Sequence, residues 1–197
     1  MIVKKDMYYS PIDNLSYLDS LILKLKLVVF ILSVLPLILI SVFFGSINFI
    51  SKWFPVIFHK LLLYLLSVKI QFEGNVNESK NCNLFISNHI SYLDIPVLGS
   101  TCPLRFVAKS EVENWAWFGF LSKLARTIFI KRSRLDSLVQ KNRILSLLNT
   151  GDKILIFPEG TTSDGNRVLK FKSSTFSSLE NQKFLIQPIV IIYSDLN

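Results

Sequence analysis

The feature that most restricts the fold of this chain is an uncharged, mostly apolar stretch of 25 residues between Lys26 and Lys52. About 20 apolar residues suffice for a helix to span a bilayer, so this stretch is long enough to be a membrane element. Pro36 and Gly45 interrupt it. A straight spanning helix and a kinked, hairpin-like helix that enters one leaflet are both compatible with the pattern. A signal peptide is disfavoured, because the run is too long and lacks a clear cleavage site.

Two segments flank this stretch. Residues 1–26 are polar to amphipathic and are interpreted as an interfacial approach segment. Residues 53–68 form a second apolar run with His59 and Lys60 in its middle. This pattern favours a helix that lies in the membrane interface, with His59 interfacial and inert. Lysines flank the apolar runs on both sides, so charge asymmetry does not decide the orientation in the membrane.

The composition also indicates a membrane contact. Half of the residues are hydrophobic and 18% are charged, which is too apolar for an ordinary soluble domain. The formal net charge is +8, and much of it lies between Lys123 and Arg143. An anionic lipid surface or a phosphate-bearing substrate fits this charge better than nucleic acid, since no nucleic-acid motif is present. Cys82 and Cys102 lack metal-type spacing and are interpreted as reduced thiols facing a cytosolic compartment.

From about residue 69 short apolar runs alternate with helical stretches. Strands are predicted at 68–72, 84–87, 104–107, 127–130, 153–157 and 184–193. Helices are predicted at 91–99, 111–124, 134–148 and 173–179. This alternation predicts an α/β fold, a mixed sheet flanked by helices. The predicted organisation is an N-terminal membrane-associated helical segment, residues 1–68, followed by one domain, residues 69–197.

A base and a carboxylate lie close together directly after the predicted strand 84–87. His89 falls at the strand end and, if a helix begins at Ser91, Asp94 lies in its first turn. The carboxylate then holds one imidazole nitrogen and leaves the other free, which is the arrangement of a general base for a hydroxyl group. The alternative is an ordinary polar contact or a helix cap.

Two further strand ends carry polar residues. Arg132 follows the predicted strand 127–130, and Glu159 begins a loop of small residues, 159–165, after the strand 153–157. Backbone N–H groups of such a loop can converge on an anion. Glu159 is unusual for phosphate binding, so it either orders the loop or accepts a hydrogen bond from a substrate hydroxyl or an arginine. A tight capped turn is the simpler alternative.

Together these clusters resemble the four sequence blocks of the glycerolipid acyltransferases, most closely the bacterial 1-acylglycerol-3-phosphate acyltransferases. The resemblance covers about residues 72–193. Its blocks are Asn88-His89-x4-Asp94, Phe129-Ile130-x-Arg132, Phe157-Pro158-Glu159-Gly160-Thr161 and Pro188-Ile189-Val190. Two positions depart from the family pattern. Arg126 stands where the second block usually begins with Gly, and Thr162 stands where the third block usually has Arg. Arg126, Lys170 and Lys172 are candidates to supply the missing charge.

The resemblance implies a membrane-bound O-acyltransferase that makes phosphatidic acid. His89, held by Asp94, deprotonates the free hydroxyl of the acceptor, which attacks an acyl thioester of coenzyme A or acyl carrier protein. Arg132 is expected to bind the acceptor phosphate. The other expected substrate-binding residues are Asn88, Glu159, Gly160, Thr161 and Thr162. No metal or further cofactor is expected. The implied location is the bacterial inner membrane, with the domain on the cytoplasmic side and with phospholipid and lyso-lipid as partners.

Four other functions are alternatives to this one. A serine hydrolase is disfavoured because the sequence has no Gly-x-Ser-x-Gly. A cysteine-based acyl relay would need Cys82 or Cys102 in an activating motif, and neither is in one. Acylation of another lyso-lipid, such as a lyso-ornithine lipid, stays open. So does a non-catalytic lipid-binding protein, which does not explain why polar residues recur at strand ends.

The last apolar run, residues 184–193, is predicted to be a core strand. The sequence ends four residues later at Asn197, whereas the resembled family usually continues. Because an α/β sheet needs layers on both faces, one edge or face is expected to be open unless the membrane leader or a second chain covers it. A shortened acyltransferase with lower stability or activity than a full-length relative is therefore expected.

Overall fold

A computed structural model of the chain describes residues 2–5, 17–44, 47–74, 82–131, 137–173, 176 and 184–195. Its elements, in chain order, are β1 (Ile2–Lys5), α1 (Tyr17–Phe44), α2 (Asn48–Leu65), β2 (Val68–Gln71), β3 (Leu84–Ser87), α3 (Asp94–Gly99), β4 (Leu104–Lys109), a 3₁₀ turn (Ser110–Asn114), α4 (Ala116–Leu124), β5 (Ile128–Ile130), α5 (Ser137–Asn149), β6 (Lys153–Ile156), β7 (Ile186–Ile189) and β8 (Ile192–Asp195).

The main sheet has five strands in the order β5-β4-β6-β3-β7, and every neighbouring pair is parallel. A second sheet has the order β2-β1-β8, where β1 is antiparallel to β2 and parallel to β8. The α/β prediction is therefore confirmed, and the mixed pairing is confined to the small sheet. Strand β1 is a correction, because residues 2–5 form the central strand of that sheet rather than part of an interfacial segment.

Both faces of the central strands β3 and β6 are buried, which is why these strands are almost continuously apolar. One core contains Leu63 of α2 together with Phe85, Val97, Leu98 and Phe106. The other contains Leu84, Ile154 and Ile156 against Ile144 and Leu148 of α5. Adjacent residues of one strand, such as Leu84 and Phe85, thus serve opposite faces.

The N-terminal helices α1 and α2 pack against each other in antiparallel directions. The rings of Phe30 and Phe58 are 6.2 Å apart, and Lys26 Nζ donates a 2.8 Å hydrogen bond to Ser67. Helix α1 continues through Pro36. Within the described residues it is the one helix that is long and apolar enough to cross a membrane, judged by length and composition.

Helix α2 lies on the domain rather than only in an interface. It contacts α3 and β2, and His59 is buried with its ring against Gly99 and edge-on to Phe106. A side chain at Gly99 would collide with that ring. Burial lowers the pKa of His59 to about 4. The prediction of an interfacial His59 is therefore wrong, because this face of α2 packs on protein. The division at residue 68 stays a prediction.

The predicted core strand 184–193 is wrong as one strand. It is split into β7, at the edge of the main sheet, and β8, in the small sheet. Leu185, Ile186 and Val190 are exposed rather than buried. The break comes at Ile191, whose backbone N–H and C=O both bond to the side chain of Asn88, so neither continues a strand ladder.

Helix bounds differ from the predicted ones at several ends. Helix α3 begins at Asp94 rather than at Ser91, and the predicted helix 111–124 is a 3₁₀ turn followed by α4. Helix α5 begins at Ser137, while residues 132–136 lie outside the described residues. Most of the predicted helix 173–179 also lies outside them.

Candidate active site

The candidate site lies at the carboxyl end of the parallel sheet, above the neighbouring strands β3 and β6. His89 follows β3 by two residues, and Glu159 follows β6 by three. Ligand sites of open parallel sheets form at this end, where the loops after adjacent strands meet. The topology therefore brings the first and third sequence clusters together.

His89 and Asp94 form a hydrogen-bonded pair. Nδ1 of His89 lies 2.7 Å from Oδ2 of Asp94. The same oxygen accepts hydrogen bonds from the backbone N–H groups of Ile90, at 2.7 Å, and Ser91, at 3.0 Å. Because a carboxylate oxygen accepts, Nδ1 carries the proton and Nε2 is the acceptor nitrogen. Asp94 therefore organises the turn between β3 and α3 and also orients the imidazole.

Tyr193 completes the environment of Asp94. Its hydroxyl donates a 2.6 Å hydrogen bond to Oδ1, so the carboxylate accepts four hydrogen bonds in all. Burial, followed by the hydrogen bond and charge of Asp94, raises the pKa of Tyr193, which keeps the phenol as a donor. Asp94 is fully buried, and these donors replace the water that it loses.

The imidazole of His89 is held flat against Phe157. The two ring centroids are 4.1 Å apart, with 15° between the ring planes, and Phe106 stacks behind Phe157. The His89 side chain is 14% exposed. Within the part of the chain that the structure describes, Nε2 has no hydrogen-bond partner, so the acceptor nitrogen is available to a bound molecule.

Glu159 is 1% exposed and uses both oxygens on the backbone. Oε1 accepts from the N–H of His89 and Oε2 from the N–H of Leu169, each at 2.8 Å. This geometry corresponds to the loop-ordering role, in which Glu159 fixes the main chain at His89. A direct contact of Glu159 with substrate stays a prediction.

The loop after Glu159 covers His89. The N–H of Ser163 donates to the carbonyl oxygen of His89 at 2.8 Å. Gly160 has a φ of +66°, in the left-handed region that glycine tolerates, and the ammonium end of Lys172 lies against it. Thr161 and Thr162 are exposed. Their substrate-binding role, and that of Gly160, stays a prediction, and Lys172 is the cation whose side chain lies beside Gly160.

Asn88 joins the site to the end of the chain. Its side chain bonds both polar groups of Ile191, at 3.1 Å and 2.8 Å, and so holds Tyr193 in reach of Asp94. The structure thus shows a positioning contact for Asn88. Its predicted contact with substrate is untested.

The cations in and around the second sequence block do not all lie near His89. Arg132 lies outside the described residues, and Lys131 directly follows β5, three strands from β3. Three strand spacings amount to about 14 Å. Arg126 is at the opposite, amino end of the sheet, where Nη2 lies 3.0 Å from Oδ2 of Asp152. Arg126 is therefore wrong as a source of the missing charge in the loop after β6.

Asp152 is shared by three cations. Besides Arg126 it contacts Arg105 Nε, at 2.7 Å, and Lys52 Nζ, at 3.3 Å. Burial alone would raise the pKa of Asp152, but the hydrogen bond and charge of Arg105 and the other cations hold it below its usual value. Burial and the charge of Arg105 lower the pKa of Arg126.

Arg126 has a φ of +59°, in the left-handed region that favours glycine. This backbone conformation explains why the resembled family usually has glycine at this position.

Two of these contacts have no signal in the sequence. Tyr193 is 99 positions from Asp94, and the stacking of Phe157 on His89 joins two strands. The cysteines show no activated thiol: Cys82 is buried, and burial raises the pKa of Cys102. No cluster of three metal-type ligands occurs among the described residues.

Comparisons with known proteins show the family of the chain. A family model described as Acyltransferase matches residues 67–192. The chain is 38% identical over 149 residues to a lyso-ornithine lipid O-acyltransferase of Brucella abortus, covering 71% of this chain and 55% of that protein. It is 30% identical over 135 residues to a 1-acyl-sn-glycerol-3-phosphate acyltransferase of Neisseria meningitidis, covering 68% and 53%.

A solved structure has the same fold. The crystal structure of the 1-acyl-sn-glycerophosphate (LPA) acyltransferase PlsC from Thermotoga maritima aligns with a TM-score of 0.57 at 18% identity, covering 89% of this chain and 85% of that one. The chain spans about half the length of the curated relatives that it matches. Since the family model covers well over half of its residues, the chain belongs to the acyltransferase family.

Proposed function

We propose that this protein transfers an acyl group from a thioester to the hydroxyl of a membrane lyso-lipid, with His89 as the general base. One observation carries the proposal. The His89 imidazole has Nδ1 on a buried carboxylate, while Nε2 is without a partner in the described residues, at the end of a sheet where ligand sites form.

The reaction follows from that arrangement. Nε2 accepts the proton of the acceptor hydroxyl as the oxygen attacks the thioester carbonyl. The tetrahedral intermediate then expels the thiolate, the C–S bond breaks, and the imidazolium returns its proton to sulfur. The products are an ester and a free thiol, carried by coenzyme A or acyl carrier protein. No acyl-enzyme forms, in keeping with the absence of an activated cysteine among the described residues.

The surroundings of His89 support this proton transfer. The carboxylate of Asp94 stabilises the imidazolium that forms in the transition state, and its four donors keep it in place. Phe157 and Phe106 prevent the ring from rotating and exclude water from one face. Glu159 holds the backbone of His89.

Two acceptors are candidates. The first is 1-acylglycerol-3-phosphate, whose phosphate would be bound by Arg132 and by Lys172 beside Gly160. The second is a lyso-ornithine lipid, which has no phosphate. The higher identity to the Brucella abortus protein supports it, and Thr162 stands where the third block of the family usually has an arginine.

The apolar hairpin of α1 and α2 would place the site at a bilayer, where single-chain lipids reside. A cytoplasmic orientation follows from the proposed donors, since acyl thioesters of coenzyme A and acyl carrier protein are cytosolic.

The test uses membranes that contain the protein, supplied with each acceptor and each donor while the lipid products are identified. We expect one of the two acceptors to be acylated, and the matched His89→Ala membranes to be inactive. Product formation from neither acceptor, or equal product in His89→Ala membranes, would contradict the proposal and favour a lipid-binding protein.

Arg132→Ala then separates the acceptors. If phosphate is bound there, the variant raises KM for 1-acylglycerol-3-phosphate and leaves KM for the thioester and for the lyso-ornithine lipid unchanged. Equal changes for all three substrates would count against a phosphate contact at Arg132.

A further inference from the structure

Helix α4 and the residue before it expose large aromatic side chains. Trp117 is 80% exposed and Phe118 is 72% exposed, and the neighbouring Trp115 is exposed as well. Within α4 only Gly119 is buried. Soluble surfaces rarely present contiguous large aromatics, so this face is expected to have a partner.

A close backbone contact at Gly119 orients α4 on the domain. Gly119 lies against the carbonyl oxygen of Glu113 in the 3₁₀ turn, and a side chain at this position would collide with it. The closest approach of helix α4 to the 3₁₀ turn is therefore at its glycine. The bulky residues on either side, Phe118 and Phe120, are exposed.

A strongly basic groove of about 420 Å³ adjoins α4. Its charged lining residues are Arg105, Glu113, Lys123, Arg126, Lys131 and Arg143. Five of these six are cations. Glu113 pairs with Lys123 at 3.4 Å, and Asp152, behind the groove, is already shared by three cations. The groove therefore carries an excess of positive charge, which fits anionic groups.

Helix α4 lies against the N-terminal hairpin that α1 and α2 form. It contacts α2, and Lys52 of α2 meets Arg126, two residues after α4, on the same carboxylate of Asp152. Near this junction α2 exposes further aromatics, Phe49 and Trp53. Helices α2 and α4 are therefore neighbours, and each exposes aromatic side chains.

We infer that α4 is a second membrane contact, lying in the headgroup region of an anionic bilayer. Trp115, Trp117 and Phe118 enter the interface, and the cations of the groove face lipid phosphates. Tryptophan prefers this depth, and an aromatic face beside lysine and arginine is typical of interfacial helices. A second copy of the chain fits less well, because it would bring an identical basic groove into the contact.

The test measures the depth of Trp117 directly. Trp53→Phe with Trp115→Phe leaves Trp117 as the sole tryptophan, and Trp115→Phe with Trp117→Phe leaves Trp53 as a reference on the hairpin. Both proteins are bound to vesicles of phosphatidylcholine and phosphatidylglycerol with brominated acyl chains. We expect Trp117 emission to shift to shorter wavelength and to be quenched most strongly by bromines near the headgroups.

Charge is tested on the same protein. Replacing Lys123, Lys131 and Arg143 with Gln should reduce the Trp117 quenching on anionic vesicles to the level seen with phosphatidylcholine alone.

The inference is overturned if Trp117 stays unquenched while Trp53 is quenched. It is also overturned if the emission of Trp117 shifts without lipid, either with protein concentration or on adding coenzyme A or acyl carrier protein. These readouts do not depend on turnover, so they remain informative if the proposed acyl transfer is wrong.

Discussion

The two ends of the main sheet each hold a buried carboxylate cluster, and the two differ in the donors that satisfy it. At the carboxyl end, Asp94 accepts from two backbone N–H groups, the phenol of Tyr193 and the imidazole of His89. At the amino end, the side-chain partners of Asp152 in the described residues are three cations, Lys52, Arg105 and Arg126.

This difference distinguishes a catalytic role from a structural one. The carboxylate of Asp94 can assist a general base, whereas that of Asp152 links elements of the fold. Neutral donors hold Asp94 without cancelling its charge, so the charge remains available to stabilise an imidazolium. The cations around Asp152 more than cancel its charge, and they join α2, β4 and the turn before β5. Changes at the carboxyl end should therefore alter the rate, whereas changes at the amino end should alter stability.

The largest expected effect is at His89. His89→Ala should lower kcat by about 10² to 10⁴, because a general base is lost. Its free energy of unfolding should fall by about 1 to 2 kcal/mol, because one of the four donors to Asp94 is lost, and so by less than expected for a change at Asp152. Turnover at a near-normal rate would remove the distinction between the two clusters.

Asp152→Ala is the counterpart at the other end. It leaves three partly buried cations facing each other, which should lower the free energy of unfolding by about 3 to 4 kcal/mol. Denaturant titration in micelles measures this loss. Turnover below the unfolding temperature should be retained, and a large loss of kcat in the folded variant would show that the amino-end cluster also serves catalysis.

The free energy of unfolding at acid pH is expected to depend on His59. Its pKa is about 4 in the folded protein against about 6.5 unfolded, so the unfolded chain binds the extra proton between these values. The contribution of neutral His59 is complete above pH 6.5 and is lost as the pH falls towards 4, by about 3 kcal/mol at most.

His59→Gln should flatten the unfolding free energy in this window relative to the unmodified protein. Asp152, whose pKa is lowered, contributes stability that is lost only at more acid pH, below its usual range. An unchanged slope between pH 6.5 and 4 in His59→Gln would assign the acid sensitivity to other groups.

The smallest expected effect is at Tyr193. Tyr193→Phe removes one of the four donors to Asp94 and should cost about 1 to 2 kcal/mol of stability, with a several-fold loss in kcat. Tyr92→Phe is the matched control, because Tyr92 is exposed. If both variants behave alike, the phenol does not support Asp94.

Local patterns allowed much of the fold to be predicted. Strand β3 was predicted at its observed bounds and β6 to within one residue, because both are apolar runs bounded by polar residues. The spacing of His89 and Asp94 also predicted their pairing, since a turn and the start of a helix bring such neighbours together. Strand β1 was missed, because it depends on pairing with β2 and β8 rather than on its own pattern.

The sequence by itself determined the α/β class, the apolar N-terminal stretch and the base with its carboxylate, since each depends on residues close together in the chain. The tertiary structure alone decided the partners of the other charged residues. Strand direction and order send Arg126 to Asp152 and turn Glu159 towards the backbone of His89, and a backbone hydrogen bond from Lys172 to Pro158 holds Lys172 beside Gly160. A residue's charge is local information, but its partner depends on which strand ends meet, and that is a property of the whole sheet.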